Sequence, residues 1–204
     1  MDLLMLGQGE ASVTIIGSAG DGMNGDTSWA ANADVVRVGR DGEQRTGRLL
    51  DAFARKHPGV AVLHNLQPPH PRVRINIDHV VVTGRTVHLI DSKVWRRGFY
   101  WTLGSRSFRG IRRDRHAEKR TVQIAIESIE HLLAARGNRS RVREGVLVVW
   151  PGKGSKASRF WALRVPGAKA VPAHRFARSL RRRFGSTPAD PQIVSALAAL
   201  REDW

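Results

Sequence analysis

Apolar positions along this chain switch between two periods, and the switches mark its elements. Leu49, Leu50, Phe53 and Ala54 recur at helical spacing behind Asp41, a residue type suited to capping. They predict a helix over residues 41–56, stopped by Pro58 and Gly59. Residues 60–66 form a short strand candidate, and Pro68, Pro69 and Pro71 stiffen the loop behind it. Residues 75–83 and 86–93 are dense in β-branched side chains, with Gly84-Arg85 between them. Glycine at the first of two loop positions predicts a hairpin with a type II′ turn. A long helix is predicted over about 114–136, with a stripe at Val122, Ala125, Ile126, Ile129, Leu132 and Leu133. Strands over 145–150 and 159–165 follow, then closing helices over 173–184 and 188–201, the second started by Thr187-Pro188. The order α, β, β-hairpin, α, β, β, α, α predicts an α/β fold with a central mixed sheet flanked by helices and two helices at the C-terminal end.

The hairpin turns three polar residues into a geometric expectation. With Gly84 and Arg85 as the loop, opposed residue numbers sum to 169, which sets Asp78 across from Asp91. Opposed residues on one sheet face have Cβ atoms roughly 4.5–5.5 Å apart. Lys93, two residues beyond Asp91, projects from the same face, as do Val80, Val82, Val87 and Leu89. Two carboxylates that close repel unless a cation sits between them. Mg²⁺ suits such a pair, because it takes hard oxygen ligands and is commonly held by one or two carboxylates and a substrate phosphate. The alternative is a buried Asp–Lys ion pair with Asp78 a surface residue of the hairpin. His79 should point to the opposite face, for packing or hydrogen bonding.

Charge changes the picture from a fold to a partner. The 204 residues carry 34 Lys and Arg against 18 Asp and Glu, a net +16. It is unevenly spread: residues 1–36 hold five acids and no Lys or Arg, leaving a surplus of 21 positive charges on the rest. Such a body attracts polyanions, nucleic acid above all. Arg96, Arg97, Arg106, Arg109, Arg112 and Arg113 follow Lys93 directly and are the predicted phosphate contacts, interleaved with Phe99, Tyr100, Trp101 and Phe108. Those aromatics are read first as core residues of a second hairpin. The acidic, Gly- and Ser-rich residues 1–36 are expected to be a flexible extension with at most one strand near Val13 to Ile16, and residues 37–204 the domain.

Other chemistries drop out. The chain has no cysteine, which excludes disulfides and thiolate metal sites and fits a reducing cytoplasm. No apolar run reaches the roughly 20 residues of a membrane span, so no membrane partner is expected. Neither the glycine-rich residues 17–25 nor the basic loop over 152–156 has the spacing of a phosphate-binding loop. The histidines form no zinc grouping, and no Gly-x-Ser-x-Gly elbow is present.

At Ile77-Asp78-His79-Val80-Val81-Val82 followed by Leu89-Ile90-Asp91-Ser92-Lys93-Val94-Trp95, the chain resembles the nuclease-related (NERD) domain of the PD-(D/E)xK nuclease superfamily. Gly42-Glu43 with Thr46 is similar to that family's helical Gly-Glu motif, and Val62-Leu63-His64-Asn65-Leu66 to its first strand. The likeness runs over about residues 39–200. Asp91 stands where the motif more often has Glu, and the wider superfamily accepts either. The resemblance implies a restriction-endonuclease-like core and a Mg²⁺- or Mn²⁺-dependent nuclease, DNA favoured over RNA. It implies catalytic residues Glu43, Asp78, Asp91, Lys93 and Gln123, with Asp78, Asp91 and Glu43 the metal ligands. Glu43 also shares the inward helix face of Leu50, seven residues on. The competing readings are an inactive nucleic-acid-binding module of the same fold and a partner-recruiting scaffold.

Overall fold

The computed structural model describes residues 12–20, 33–70, 75–152 and 157–201. Most of the acidic extension, the end of the glycine-rich run, Pro71 and the basic loop over 153–156 lie outside the described residues.

One mixed sheet organises the chain, in strand order β1 (Thr14–Ile16), β2 (Ala61–Leu66), β3 (Ile77–Thr83), β4 (Thr86–Trp95), β9 (Gly145–Pro151) and β11 (Ala168–Pro172). β1 runs parallel to β2, β2 to β4 are antiparallel, and β9 and β11 continue parallel to β4, which also pairs with the short β8 (Arg141–Val142). All seven residues of β3 are buried, as suits a central strand covered on both faces. One face carries Val62, Val81, Ile90, Val146 and Val148 against Leu50, Phe53 and Ala54 of helix α1 (Ala33–Lys56). The other carries Val80, Val82, Val87 and Leu89 against Ala125, Ile129 and Leu133 of α2 (Thr121–Ala135), together with Ile193 and Leu197 of α5 (Pro191–Ala198).

The hairpin register is the expected one, with Thr83 opposite Thr86 and His79 opposite Ile90. Gly84 has φ +52, and Arg85 is not among the positive-φ residues, the combination a type II′ turn needs. Thr187 and Pro188, expected to start the last helix, instead accept the Gly84 N–H through their carbonyls at 3.2 and 3.1 Å, and Arg85 pairs with Asp190 at 3.0 Å. Asp190 is the true cap of α5, accepting the Gln192 N–H at 3.0 Å with Pro191 in the first turn.

Four other boundaries differ from expectation, each for a local reason. α1 starts two turns earlier, at Ala33, and Asp41 lies inside it, held by Arg45 four residues on at 2.6 Å. Asp114 caps only a 3-10 turn, Arg115–Glu118, after which Lys119 is extended and α2 begins at Thr121. The helix expected over 173–184 is two pieces, α3 (Ala173–Ala177) and α4 (Leu180–Phe184), parted where the Ser179 hydroxyl donates to the Phe176 carbonyl. The strand expected over 159–165 stops at Trp161, because Ala162 turns to φ +45. β11 was not expected at all.

A second sheet of four strands stands beside the first, in order β10 (Arg159–Trp161), β5 (Phe99–Leu103), β6 (Arg106–Arg109) and β7 (Arg112–Arg113). Its inner face is seated by Tyr100, stacked on Trp95 with ring centroids 4.8 Å apart. Among the described residues, no helix is long and apolar enough to cross a membrane.

Candidate active site

Asp78 occupies the point where β3 loses its partners on both sides. The β3–β4 ladder closes with His79 opposite Ile90, one position short of Asp78. On the other side the β2 ladder pairs His64 with His79 and Leu66 with Ile77, skipping Asn65 opposite Asp78. Asn65 has φ +54, a left-handed conformation that asparagine tolerates better than most residues and that breaks the ladder there. The Asp78 carboxylate uses the gap to accept the Ser92 N–H at 2.7 Å, which aims it toward β4.

Helix α1 supplies the third acid. A Cβ on Gly42 would stand 2.8 Å from the Val94 side chain, so only glycine lets the helix lie this close to β4. The next residue, Glu43, is thereby buried to 2% exposure beside the hairpin acids, and its Oε2 has no hydrogen-bond partner. Lys93 Nζ donates to Asp91 Oδ1 at 2.8 Å, on side chains that keep 45% and 16% of their exposure. The structure therefore brings Glu43, Asp78, Asp91 and Lys93 together.

Three carboxylates against the Lys93 ammonium, with a lesser pull from Arg40 on Glu43, leave the cluster short of positive charge. Burial, only partly offset by Lys93 and reinforced by Asp91, pushes the Glu43 carboxyl up to about 7. Burial, Glu43 and Asp91 push Asp78 well above the usual carboxylate range, against the pull of Lys93 and the Ser92 N–H. Enclosure disfavours the Lys93 charge, but Asp91 and Asp78 outweigh it and hold the ammonium above its ordinary value. Among the described residues, no three His, Asp or Glu side chains are already gathered as a metal-binding set. An ion held by two carboxylates and waters, the habit of Mg²⁺, does not need one. The orphaned buried oxygen of Glu43 and the unmet negative charge fit such a cation.

Behind the acids runs a buried polar chain whose composition the sequence reading did not foresee. Asp51 Oδ1 meets His64 Nε2 at 2.9 Å, and His64 Nδ1 meets His79 Nδ1 at 2.8 Å. His79 Nε2 lies 3.4 Å from Ser92 Oγ, which donates to Thr46 Oγ1 at 2.8 Å. Thr46 also accepts the Trp150 indole N–H at 2.9 Å and donates to the Gly42 carbonyl at 3.1 Å. Burial and His64 hold His79 well below its ordinary value. This chain ties α1 to β2, β3, β4 and β9, and Ser92, its member on β4, also holds Asp78 through its backbone N–H. The hydrogen-bonding role expected for His79 is the one observed.

Gln123 is not brought to the site. Its amide accepts from Arg120 at 3.2 Å and donates to Glu127 at 3.0 Å, along the outside of α2. It follows Val122, which takes the inward position, so the next residue is turned about 100° away. The predicted phosphate contacts divide as well. Arg96, Arg97, Arg106 and Arg112 are exposed. Arg113 is held by Glu118 at two points, 3.1 and 2.8 Å, and Arg109 packs against Gly98 and bonds Tyr100.

The nuclease-related domain (NERD) model matches residues 38–150, more than half of the chain and all four clustered residues. The chain belongs to the nuclease-related domain family. No individual curated protein and no solved structure matches it. The NERD match covers most of α1, the hairpin, three strands of the second sheet, α2 and nearly all of β9, and a nuclease-related function follows from it.

Proposed function

We propose that this NERD domain is a Mg²⁺- or Mn²⁺-dependent endonuclease acting on DNA. The observation that carries the reading is that three carboxylates and one lysine feel one another's charge where β3 parts from its neighbours, with the buried Glu43 Oε2 unpartnered. Asp78 and Asp91 would hold the ion, and Glu43 would complete its shell directly or through a water. A bound divalent ion would polarise the phosphodiester and acidify a water. Asp91 and Asp78 hold the Lys93 ammonium above its ordinary value, which suits it to act as a donor and a positive charge. It can orient the attacking water and stabilise charge building on the phosphate. Net hydrolysis consumes one water and breaks one bridging P–O bond. The positive surplus on the body supplies non-specific attraction to the phosphates.

The test is nicking of supercoiled plasmid by purified protein. Cleavage in Mg²⁺ or Mn²⁺ should stop with EDTA and fall at least about 100-fold in Asp91→Ala. Cleavage that survives both treatments would sink the assignment. The closed Lys93–Asp91 pair favours one second reading, a binding module without turnover. Salt-sensitive DNA binding with no cleavage in any divalent metal would support it.

A further inference from the structure

Among the described residues, one face of the second sheet has no apolar cluster packed on it. Strand alternation sends Tyr100 inward, and Phe160 with it, toward Trp95. Phe99, Trp101 and Leu103 of β5 then face outward, as do Phe108 and Trp161, the partners of Trp101 on either side. Trp161 is 63% exposed, Phe99 45% and Leu103 67%, and none of these outward residues belongs to an apolar cluster among the described residues. Monomeric proteins rarely spread large apolar side chains over one open patch unless something binds there.

The arrangement is a ladder of rings. Trp161, Trp101 and Phe108 are adjacent across three strands, so they span about 10 Å at about 4.8 Å per strand. Trp101 stacks on Phe108 with centroids 4.7 Å apart, and its indole N–H donates to the Gly110 carbonyl at 2.8 Å. Arg159, opposite Phe99, and Arg106, opposite Leu103, are exposed and have no ion-pair partner among the described residues. Rings fixed in place and flanked by free arginines match the chemistry of unpaired bases on a phosphate backbone. A duplex, whose bases are already stacked, offers no faces for them.

We propose that this face is a stacking platform for single-stranded DNA, holding the unpaired segment beside the bond that the Asp78–Asp91 site cuts. Five residues separate Lys93 from Phe99, six steps of chain with a reach of at most about 20 Å. The link to cleavage rests on the nuclease reading, but binding to the platform does not. Preferred substrates are therefore gapped or overhanging DNA.

The test is fluorescence anisotropy of a labelled oligothymidylate of about fifteen nucleotides, bound by the full chain in EDTA, where no cleavage occurs. Trp161→Ala should weaken binding about 5- to 100-fold, the value of one stacked base. Trp161→Phe should recover most of the loss. Binding of a blunt duplex should change less than about twofold. Arg159→Ala should instead lower the slope of log K against log salt by about 0.7, one phosphate contact on a single strand. Unchanged oligothymidylate binding in Trp161→Ala, or an equal loss on duplex, overturns the proposal. So does tighter binding of oligouridylate, or a dimer that Trp161→Ala dissociates while DNA affinity stays. Failure of plasmid cleavage with the binding pattern intact would discard the nuclease reading and leave the platform standing.

Discussion

Glu43→Gln should make the metal-free protein more stable at pH 8 while making it a poorer nuclease. The Glu43 carboxyl stands at about 7 in the fold, above its ordinary 4.5, because burial and Asp91 oppose its charge. A raised folded value means that its stabilising contribution is complete below pH 4.5 and is lost as pH rises through 7. At pH 8 the wild type therefore bears a penalty on the order of 3 kcal/mol. Glutamine keeps the shape and never ionises. A gain of about 1–3 kcal/mol corresponds to a rise of roughly 3–10 °C in melting temperature for a chain of this size. At pH 4.5 the difference should nearly vanish. Cleavage should fall about 10- to 100-fold, as when a group supporting a metal shell is removed. Thermal melts at the two pH values and a nicking assay read both signs. A merely structural Glu43 would give a destabilised variant at both.

Lys93→Ala should separate chemistry from metal binding. The ammonium sits 2.8 Å from Asp91 and competes with any cation for that carboxylate. Without it, divalent-ion affinity should hold or tighten, whereas cleavage should drop about 10²- to 10³-fold for loss of a positioned donor at the phosphate. The metal-free variant should melt lower at pH 8, opposite to Glu43→Gln, because three acids then lack their only nearby ammonium. Calorimetric ion titration beside single-turnover cleavage checks the pair. Equal losses of ion affinity and rate would place Lys93 in a structural role instead.

The site was more legible than its surroundings, and the reason is periodicity. A period of two and a glycine at a II′ turn leave one register, so Asp78, Asp91 and Lys93 could be placed on one face by counting. Glu43 was legible through the likeness to the family's helical Gly-Glu motif, with its place on the helix face of Leu50 in support. Gln123 shows the limit: one helical position, about 100°, separates inward from outward, and the apolar stripe does not mark its edge that finely. The buried chain through His64 and His79 depends on the β2–β3 register, which the proline-rich loop between those strands conceals. The second sheet shows a further limit. Alternation separates Tyr100 from Phe99 and Trp101, but only packing on Trp95 decides which side is core. Asp41 and Asp114 looked like caps because their chemistry suits caps. Arg45 engaged one inside α1, and Lys119 broke the chain after the other's single turn.

Divalent-ion uptake tests the central claim most directly, since everything proposed for the hairpin requires a cation at its acids. Titration of Mn²⁺ into the metal-free protein, followed by the electron paramagnetic resonance of free ion, should show saturable uptake in the wild type. Asp78→Asn combined with Asp91→Asn should abolish it while the protein stays folded. Uptake that is undetectable in the wild type, or unchanged in the double variant, would contradict the account.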